Sequence, residues 1–219
     1  QPRSRGLGDV YKRQPLPFLT GTICAHRCQN KCSRNFYDES VHIRDTKLVA
    51  AEHGYGALMA SLKPTAKLPG KKAAIIGGGP TGIAAAYFLA RGGVETTIFE
   101  REAKLGGVPR YVIPAFRISD EALDKDVALM ERLGVEVKCG APAPSVEALK
   151  KLGYTHILMA TGAWQAGELG IPGNVKGVIG WMKEMKQQVK PCLTGHVAVV
   201  GAGNTAMDAA RVAKRMGAE

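Results

Sequence analysis

Three cysteines spaced four positions apart, Cys24, Cys28 and Cys32, are the residues of this sequence best suited to metal chemistry. Their spacing would place all three on one face of a helix, but the segment is otherwise polar, which disfavours burying the thiols as small apolar groups. Such crowding is typical of iron–sulfur ligation by thiolates. Zinc is the alternative, with His26 or His42 as a fourth ligand, although paired zinc cysteines are usually separated by about two residues.

A glycine-rich turn at residues 77–82 follows a predicted strand at residues 73–76 and opens a predicted helix at residues 81–91. In such a turn the first glycine permits the bend, the second lets a pyrophosphate approach, and the third lets the helix pack on the sheet. Glu100 follows the next predicted strand, residues 94–99, where a carboxylate accepts hydrogen bonds from a ribose diol. A purely structural turn is the alternative. The pattern predicts a dinucleotide site made of Gly77, Gly79, Pro80, Thr81, Gly82 and Glu100.

A second turn of this kind lies at residues 201–206, between a predicted strand at residues 196–200 and a predicted helix at residues 204–216. Alanine in the third glycine position is compatible with the motif. The sequence ends before the position where an acid corresponding to Glu100 is expected. A structural turn is again the alternative. The pattern predicts a second nucleotide site made of Gly201, Gly203, Asn204, Thr205 and Ala206.

The composition favours anionic ligands over nucleic acid. The formal net charge is +11, which suits dinucleotides and negatively charged clusters. Lysines and arginines are scattered and are not interleaved with aromatic residues, so nucleic-acid binding is disfavoured. Five cysteines, three of them crowded together, favour cytosolic metal ligation over a secreted disulfide framework. We therefore expect a cytoplasmic protein.

Two segments are set aside in predicting the fold. Residues 1–14 have no apolar periodicity and are interpreted as a non-native leader, with a native disordered basic tail as the alternative. We accordingly expect the chain to be an internal piece of a longer protein. Residues 73–90 carry no charge, but the glycines and proline at residues 77–80 interrupt them, so no membrane span is predicted.

The order of the remaining patterns predicts the domain organisation. A small helical and loop module, with a helix at residues 46–59, occupies residues 15–62, and a linker follows at residues 63–70. Strands and helices then alternate, which predicts a parallel, doubly wound α/β sheet. Ser119 is a predicted N-cap. The further predicted elements are helices at residues 120–133 and 145–152 and strands at residues 135–138 and 154–160.

With these residues identified, the chain resembles the glutamate synthase small-subunit family of flavin and iron–sulfur oxidoreductases. Within that family it is most similar to the branch named for a selenate reductase iron–sulfur subunit, and dihydropyrimidine dehydrogenase carries a related electron-input half. The resemblance extends over residues 15–219. It rests on the cysteine triplet and on residues 75–82, 105–107, 110–117, 160–164 and 199–208.

The resemblance implies FAD on the first turn and NAD(P)H on the second, with electrons passing singly from the flavin to two 4Fe–4S clusters. It implies that Cys24 and Cys28 ligate one cluster and that Cys32 ligates the other. It also assigns residues 15–62 to an iron–sulfur module, residues 71–165 to an incomplete FAD-binding domain, residues 166–194 to a connection, and residues 195–219 to the start of an inserted NAD(P)-binding Rossmann domain.

Further site residues and partners follow from the same resemblance. Gly107 and Arg117 fall in segments that line the flavin, and Thr161 and Gly162 mark the crossing between the two nucleotide domains. A catalytic or electron-accepting partner subunit or domain is expected. The family's remaining cluster cysteines lie upstream, where this chain has only residues 1–14. Lys47 aligns with a Glu or Gln cluster ligand of relatives, and a protonated amine is a poor iron ligand.

Three other functions or mechanisms have a distinct sequence signature. A radical enzyme with a three-cysteine cluster is disfavoured because it needs a shorter second gap and no dinucleotide turns. A non-enzymatic zinc- or cluster-binding scaffold with a degenerate nucleotide fold is the alternative function. Cys139 and Cys192 have no neighbouring cysteine, so no dithiol relay beside the flavin is predicted. The final electron acceptor and the choice between NADH and NADPH stay open.

Overall fold

The computed structural model describes residues 14–165, 167 and 170–219. The predicted leader lies outside the described residues except for Gln14. Residues 166, 168 and 169 of the predicted connection lie outside them as well. Within the described part of the chain, no helix is both long and apolar enough to cross a membrane.

The centre of the fold is a parallel sheet, which among the described residues has four strands in the order β3-β2-β1-β4. They are β1 (Lys72–Ile76), β2 (Glu95–Glu100), β3 (Glu136–Cys139) and β4 (His156–Met159). The central strand β1 pairs with β2 and β4, and Ile76 lies opposite both Phe99 and Met159. The predicted α/β class is confirmed. Because the strands are parallel, their carboxyl ends meet at one edge, where ligands bind in such sheets.

Helices surround this sheet and precede it. The helical module contains α1 (Pro17–Ile23) and α2 (Ile43–Ser61), with short 3₁₀ turns at Gln29–Lys31 and Ser33–Phe36. After β1 come α3 (Pro80–Arg91), α4 (Val108–Tyr111), α5 (Asp120–Glu131), α6 (Val146–Lys151), α7 (Val178–Gln187) and α8 (Asn204–Arg215). Ser119 caps α5 as predicted, since its hydroxyl accepts a hydrogen bond from the Ala122 N–H at 3.2 Å.

The helical module and the sheet share one hydrophobic core. Leu19 of α1 and Leu58 of α2 belong to the same buried cluster as Ile75 of β1 and Leu129 of α5. A buried carboxylate reinforces this contact: Asp126 of α5 accepts hydrogen bonds from the backbone N–H groups of Phe18 (3.0 Å) and Leu19 (2.7 Å). Asp126 is fully buried. The first turn of α1 is thereby fixed to the sheet domain.

Burial changes the acidity of this carboxyl. Removal from water raises the pKa of Asp126 from its ordinary value of 3.8 to about 7. The two backbone hydrogen bonds act in the opposite direction and lower this pKa. The desolvation of the charged form is thus the larger effect.

One prediction of local structure is wrong. The strand predicted at residues 196–200 is not formed, and Val197 and Val200 are exposed. Its apolar residues carry the signal of a buried strand, but the segment pairs with no strand within the described residues. The helical face required by the alternative of three buried thiols is not formed, because Cys24 follows the end of α1, and Cys28 and Cys32 flank the 3₁₀ turn Gln29–Lys31.

Candidate nucleotide-binding site

The first glycine-rich turn is held by close backbone packing. Gly77 has a φ of +109°, and a Cβ atom there would lie 2.3 Å from the carbonyl oxygen of Ala160, the residue that follows β4. A Cβ atom on Gly82 would lie 2.0 Å from the carbonyl oxygen of Gly77, so α3 packs directly against the turn. These positions therefore tolerate only glycine, for the reasons that the motif predicts.

Gly79 differs from its neighbours because it faces open space. A Cβ atom there would meet only the Cα atom of Gly107, at 3.8 Å, among the described residues. Gly79 is also the N-cap of α3, with Pro80 in the first turn, and the described structure shows no side-chain cap on this helix. The positive end of α3 and its N–H groups are thus available to an anion such as a pyrophosphate.

A second loop crosses over this turn. The Gly106 N–H donates a hydrogen bond to the Gly78 carbonyl at 2.8 Å, and Gly107 (φ +56°) lies beside Gly79. Buried Arg110 anchors the loop, since its Nε donates to the Leu105 carbonyl at 2.5 Å and its Nη2 to Asp124 Oδ1 at 2.5 Å. The sequence motif at residues 105–107 therefore forms part of the same site.

Glu100 is buried at the end of β2, directly beneath the turn. Its Oε2 accepts a hydrogen bond from the Gly78 N–H at 2.6 Å, and its Oε1 accepts one from the Glu102 N–H at 2.9 Å. Each carboxylate oxygen can accept a further hydrogen bond. Glu100 is therefore fixed by the backbone while it retains capacity for a donor such as a ribose hydroxyl.

These residues converge on a cleft of about 480 Å³ at the carboxyl ends of β1, β2 and β4. That volume is typical of small-molecule sites. The predicted residues Gly77, Gly79, Pro80, Thr81, Glu100, Gly107, Thr161 and Gly162 all line it. Gly82 does not line the cleft, and its role is the close packing of α3 against Gly77. The sequence prediction missed Arg101, Pro142, Ala143 and Trp164, which also line the cleft.

Arg117 does not lie with this group. It borders a cavity of about 320 Å³ and another of about 210 Å³, and its Nε lies 3.7 Å from Asp208 Oδ2 of α8. The neighbouring Phe116 ring lies 4.1 Å from each of the guanidinium groups of Arg211 and Arg215. Arg117 thus lies outside the first cleft, in contact with α8, and its role at the flavin stays a prediction.

The second turn is more open than the first. Gly201 has a φ of +130° and Gly203 is the N-cap of α8, whereas Ala206 is buried in the third glycine position. Asn204 and Thr205 border the cavity of about 210 Å³, together with Asp208 and residues of α4 and α7. The helix start is formed, but the strand that should support the turn is not.

The cysteines of the triplet are free thiols, exposed at Cys24 and Cys28 and half-buried at Cys32. Backbone hydrogen bonds, from Val41 first and then Arg34, lower the pKa of the Cys32 thiol and favour its thiolate, the metal-binding form. His26 has a φ of +41°, and its buried Nδ1 has no hydrogen-bond partner within the described residues. The described part of the chain contains no group of three or more His, Cys, Asp or Glu side chains placed to hold a metal ion.

The other two cysteines lie apart from the triplet. Cys139 is the last residue of β3. Burial raises the pKa of its thiol, and the charges of Glu100 and Glu131 raise it further. The Cys192 thiol donates to the Met185 sulfur at 3.9 Å. Both are free thiols.

Comparisons with known proteins agree with this geometry. The family described as pyridine nucleotide-disulphide oxidoreductase matches residues 71–219. The chain is 41% identical over 212 residues to YgfK of Escherichia coli (strain K12), a protein named as an oxidoreductase, covering 94% of this chain and 20% of that protein. It is 34% identical to the NADPH-Fe(3+) oxidoreductase subunit beta of Geobacter sulfurreducens (strain DL-1 / KN400), and the match covers 97% of this chain and 33% of that protein.

More distant matches extend the comparison. The small chain of NADPH glutamate synthase from Mycobacterium tuberculosis (strain ATCC 25618 / H37Rv) is 29% identical, covering 93% of this chain and 46% of that protein. The chain thus spans between a fifth and half of the length of these relatives. Histamine dehydrogenase from Rhizobium sp. 4-9 shares the fold, with a TM-score of 0.51 and 19% identity over 72% of this chain and 25% of that one.

Proposed function

This chain belongs to the pyridine nucleotide-disulphide oxidoreductase family, and we propose that it is the electron-input unit of a glutamate synthase small-subunit-like flavoprotein. It binds FAD in the cleft of the first turn, receives hydride from NAD(P)H bound at the second turn, and passes electrons singly toward iron–sulfur clusters. The observation that carries the proposal is the convergence of the predicted dinucleotide residues around the open N-terminus of α3.

Two features of the cleft support FAD as its ligand. Gly79 leaves space at the positive end of α3 for the pyrophosphate, and the Gly107 loop closes over that position. Glu100, held by the Gly78 and Glu102 N–H groups, presents a carboxylate for the ribose diol. When bound, FAD would accept a hydride and release its electrons one at a time. The protein supplies the binding and the orientation.

The second turn is the proposed NAD(P)H site. Its support is the uncapped start of α8 at Gly203 and the cavity bordered by Asn204 and Thr205. The relatives from Geobacter and Mycobacterium are named for NADPH. The same names describe a subunit and a small chain, and we propose that this chain likewise delivers electrons to a partner subunit or domain.

The cysteine triplet is the proposed exit for electrons. The proposal is supported by the exposed thiols of Cys24 and Cys28, by the lowered pKa of Cys32, and by His26, which lies between the first two cysteines in sequence and whose Nδ1 has no hydrogen-bond partner among the described residues. A 4Fe–4S cluster takes about four thiolates. Each cluster here would therefore take further ligands from outside the described residues, with Cys24 and Cys28 on one cluster and Cys32 on the other.

The cofactor content of the purified protein tests the proposal. Protein prepared without oxygen should be brown, with absorbance of oxidised flavin and of clusters, and should release FAD on denaturation. Addition of NADPH or NADH should bleach the flavin band. A colourless protein that contains zinc and no flavin would contradict this function and favour a metal-binding scaffold.

A further inference from the structure

Trp164 occupies a boundary that sequence analysis did not assign to either nucleotide site. Trp164 lines the cleft of the first turn. The residue also packs against a buried cluster of Val112, Met182 of α7 and Ala209 of α8. Trp164 therefore contacts both the first cleft and the helices α7 and α8, which lie on either side of the second turn in the chain.

Two cations and one carboxylate hold this indole. The Arg101 guanidinium lies 5.3 Å from the Trp164 ring centroid and the Lys183 Nζ lies 5.6 Å from it. Glu102 Oε1 contacts both cations, at 2.6 Å from Lys183 Nζ and 3.7 Å from Arg101 Nε. The Glu102 N–H in turn donates to Glu100 Oε1. A single network thus links the ribose-binding carboxylate to the orientation of the indole.

We propose that Trp164 is the aromatic wall for the adenine ring of FAD and that Lys183 is a positioning residue that fixes its orientation. The proposal rests on the FAD function given above. The adenosine half is favoured because Glu100 is placed for the ribose and Arg101, the next residue, lies over the indole. Aromatic faces stack on nucleobases, and a cation beside the ring restricts its movement.

Lys186 provides a matched control on the same helix. Its Nζ donates to the Ile113 carbonyl at 2.6 Å, so it also attaches α7 to the flavin domain. The structure records its contact with Ile113 and none with Trp164 among the described residues. Loss of Lys186 therefore weakens the docking of α7 and leaves the Glu102 network in place.

The test measures dissociation constants of FAD and ADP for flavin-free protein. Trp164→Ala should weaken the binding of both ligands about tenfold, because both carry the adenine ring, and Trp164→Phe should weaken it less.

The lysine variants test the positioning role. Lys183→Met should weaken the binding of both ligands about threefold, and Lys183→Arg should restore it. Lys186→Met should bind like the wild type. Lys183→Met added to Trp164→Ala should have no further effect. In a Trp181→Phe background, ADP should change the fluorescence of Trp164.

Specific outcomes overturn the proposal. Equal effects of Lys183→Met and Lys186→Met would show that Lys183 only docks α7. An effect of Lys183→Met that persists in Trp164→Ala would show that it does not act through the indole. Unchanged ADP affinity in Trp164→Ala would remove the adenine assignment. Wild-type protein that binds ADP but not FAD would contradict the proposed function, while the ADP series would still test Trp164.

Discussion

Gly107 and Gly79 approach so closely that a Cβ atom on Gly107 would lie 2.8 Å from the Gly79 Cα atom. They belong to different loops, one following β1 and the other preceding α4. This contact places the second loop over the helix terminus that we assign to the pyrophosphate. The site therefore depends on two glycine-rich segments.

Gly107→Ala tests that contact. The substitution combines a clash with Gly79 and a φ of +56°, so we expect the free energy of unfolding to fall by about 1–3 kcal/mol and FAD to be lost. Chemical denaturation and flavin content measure the two effects. Gly140→Ala is the control, because it also has a positive φ (+83°) but nothing lies within 4 Å of its Cβ position among the described residues. Equal FAD loss in both variants would contradict the account.

Asp126 gives the fold a defined pH dependence. Its pKa rises from 3.8 to about 7 on folding, so the folded state binds a proton that the unfolded state has released. Its contribution to stability is present below pH 3.8 and is lost as the pH rises through about 7, with a slope approaching about −1.4 kcal/mol per pH unit between those values. Asp126→Asn should remove this slope. Glu131→Gln, on exposed helix surface of α5, should keep it, and an unchanged slope in Asp126→Asn would exclude Asp126 as its source.

The cluster ligands are tested by iron content. In the whole protein assembled without oxygen, Cys24→Ser and Cys28→Ser should each lose iron, because each removes a thiolate from the same cluster. Cys139→Ser, at the end of β3, should retain the wild-type iron content. Full iron and an unchanged reduced-state EPR signal in both triplet variants would refute the ligand assignment.

The route of the electrons is tested by removing the other cysteines. The double variant Cys139→Ser/Cys192→Ser should reduce a one-electron dye with NAD(P)H at nearly the wild-type rate, since no thiol relay is predicted. A rate loss of about a hundredfold, which corresponds to a barrier increase of about 2.7 kcal/mol, with FAD still bound, would favour a dithiol relay instead.

Much of the first site could be predicted from the sequence because its determinants are local. The turn at residues 77–82 and Glu100 belong to one strand–helix–strand unit, and the predicted cap at Ser119 depends on the first turn of α5 alone. Their physical reasons, such as the clash of a Cβ on Gly82 with Gly77, act over short stretches of chain.

The remainder depends on contacts that are distant in sequence. Asp126 is one of several polar residues of α5, and nothing local indicates that it meets Phe18 and Leu19. Trp164 follows β4, but its contact with Lys183 of α7, which also binds Glu102, joins residues that are distant in sequence. The strand predicted at residues 196–200 fails for the same reason, since a strand needs a pairing partner that local apolar character does not supply.

The most direct test of the central claim is the FAD content of Gly79→Val. A Cβ at this position meets only ordinary contact with Gly107, so the fold should survive with a stability change of about 1 kcal/mol. The branched side chain would fill the space assigned to the pyrophosphate, and we predict a folded protein without FAD. Gly56→Val, on the open surface of α2, should keep wild-type FAD. Equal FAD occupancy in Gly79→Val and the wild type would contradict the assignment of this turn to the flavin.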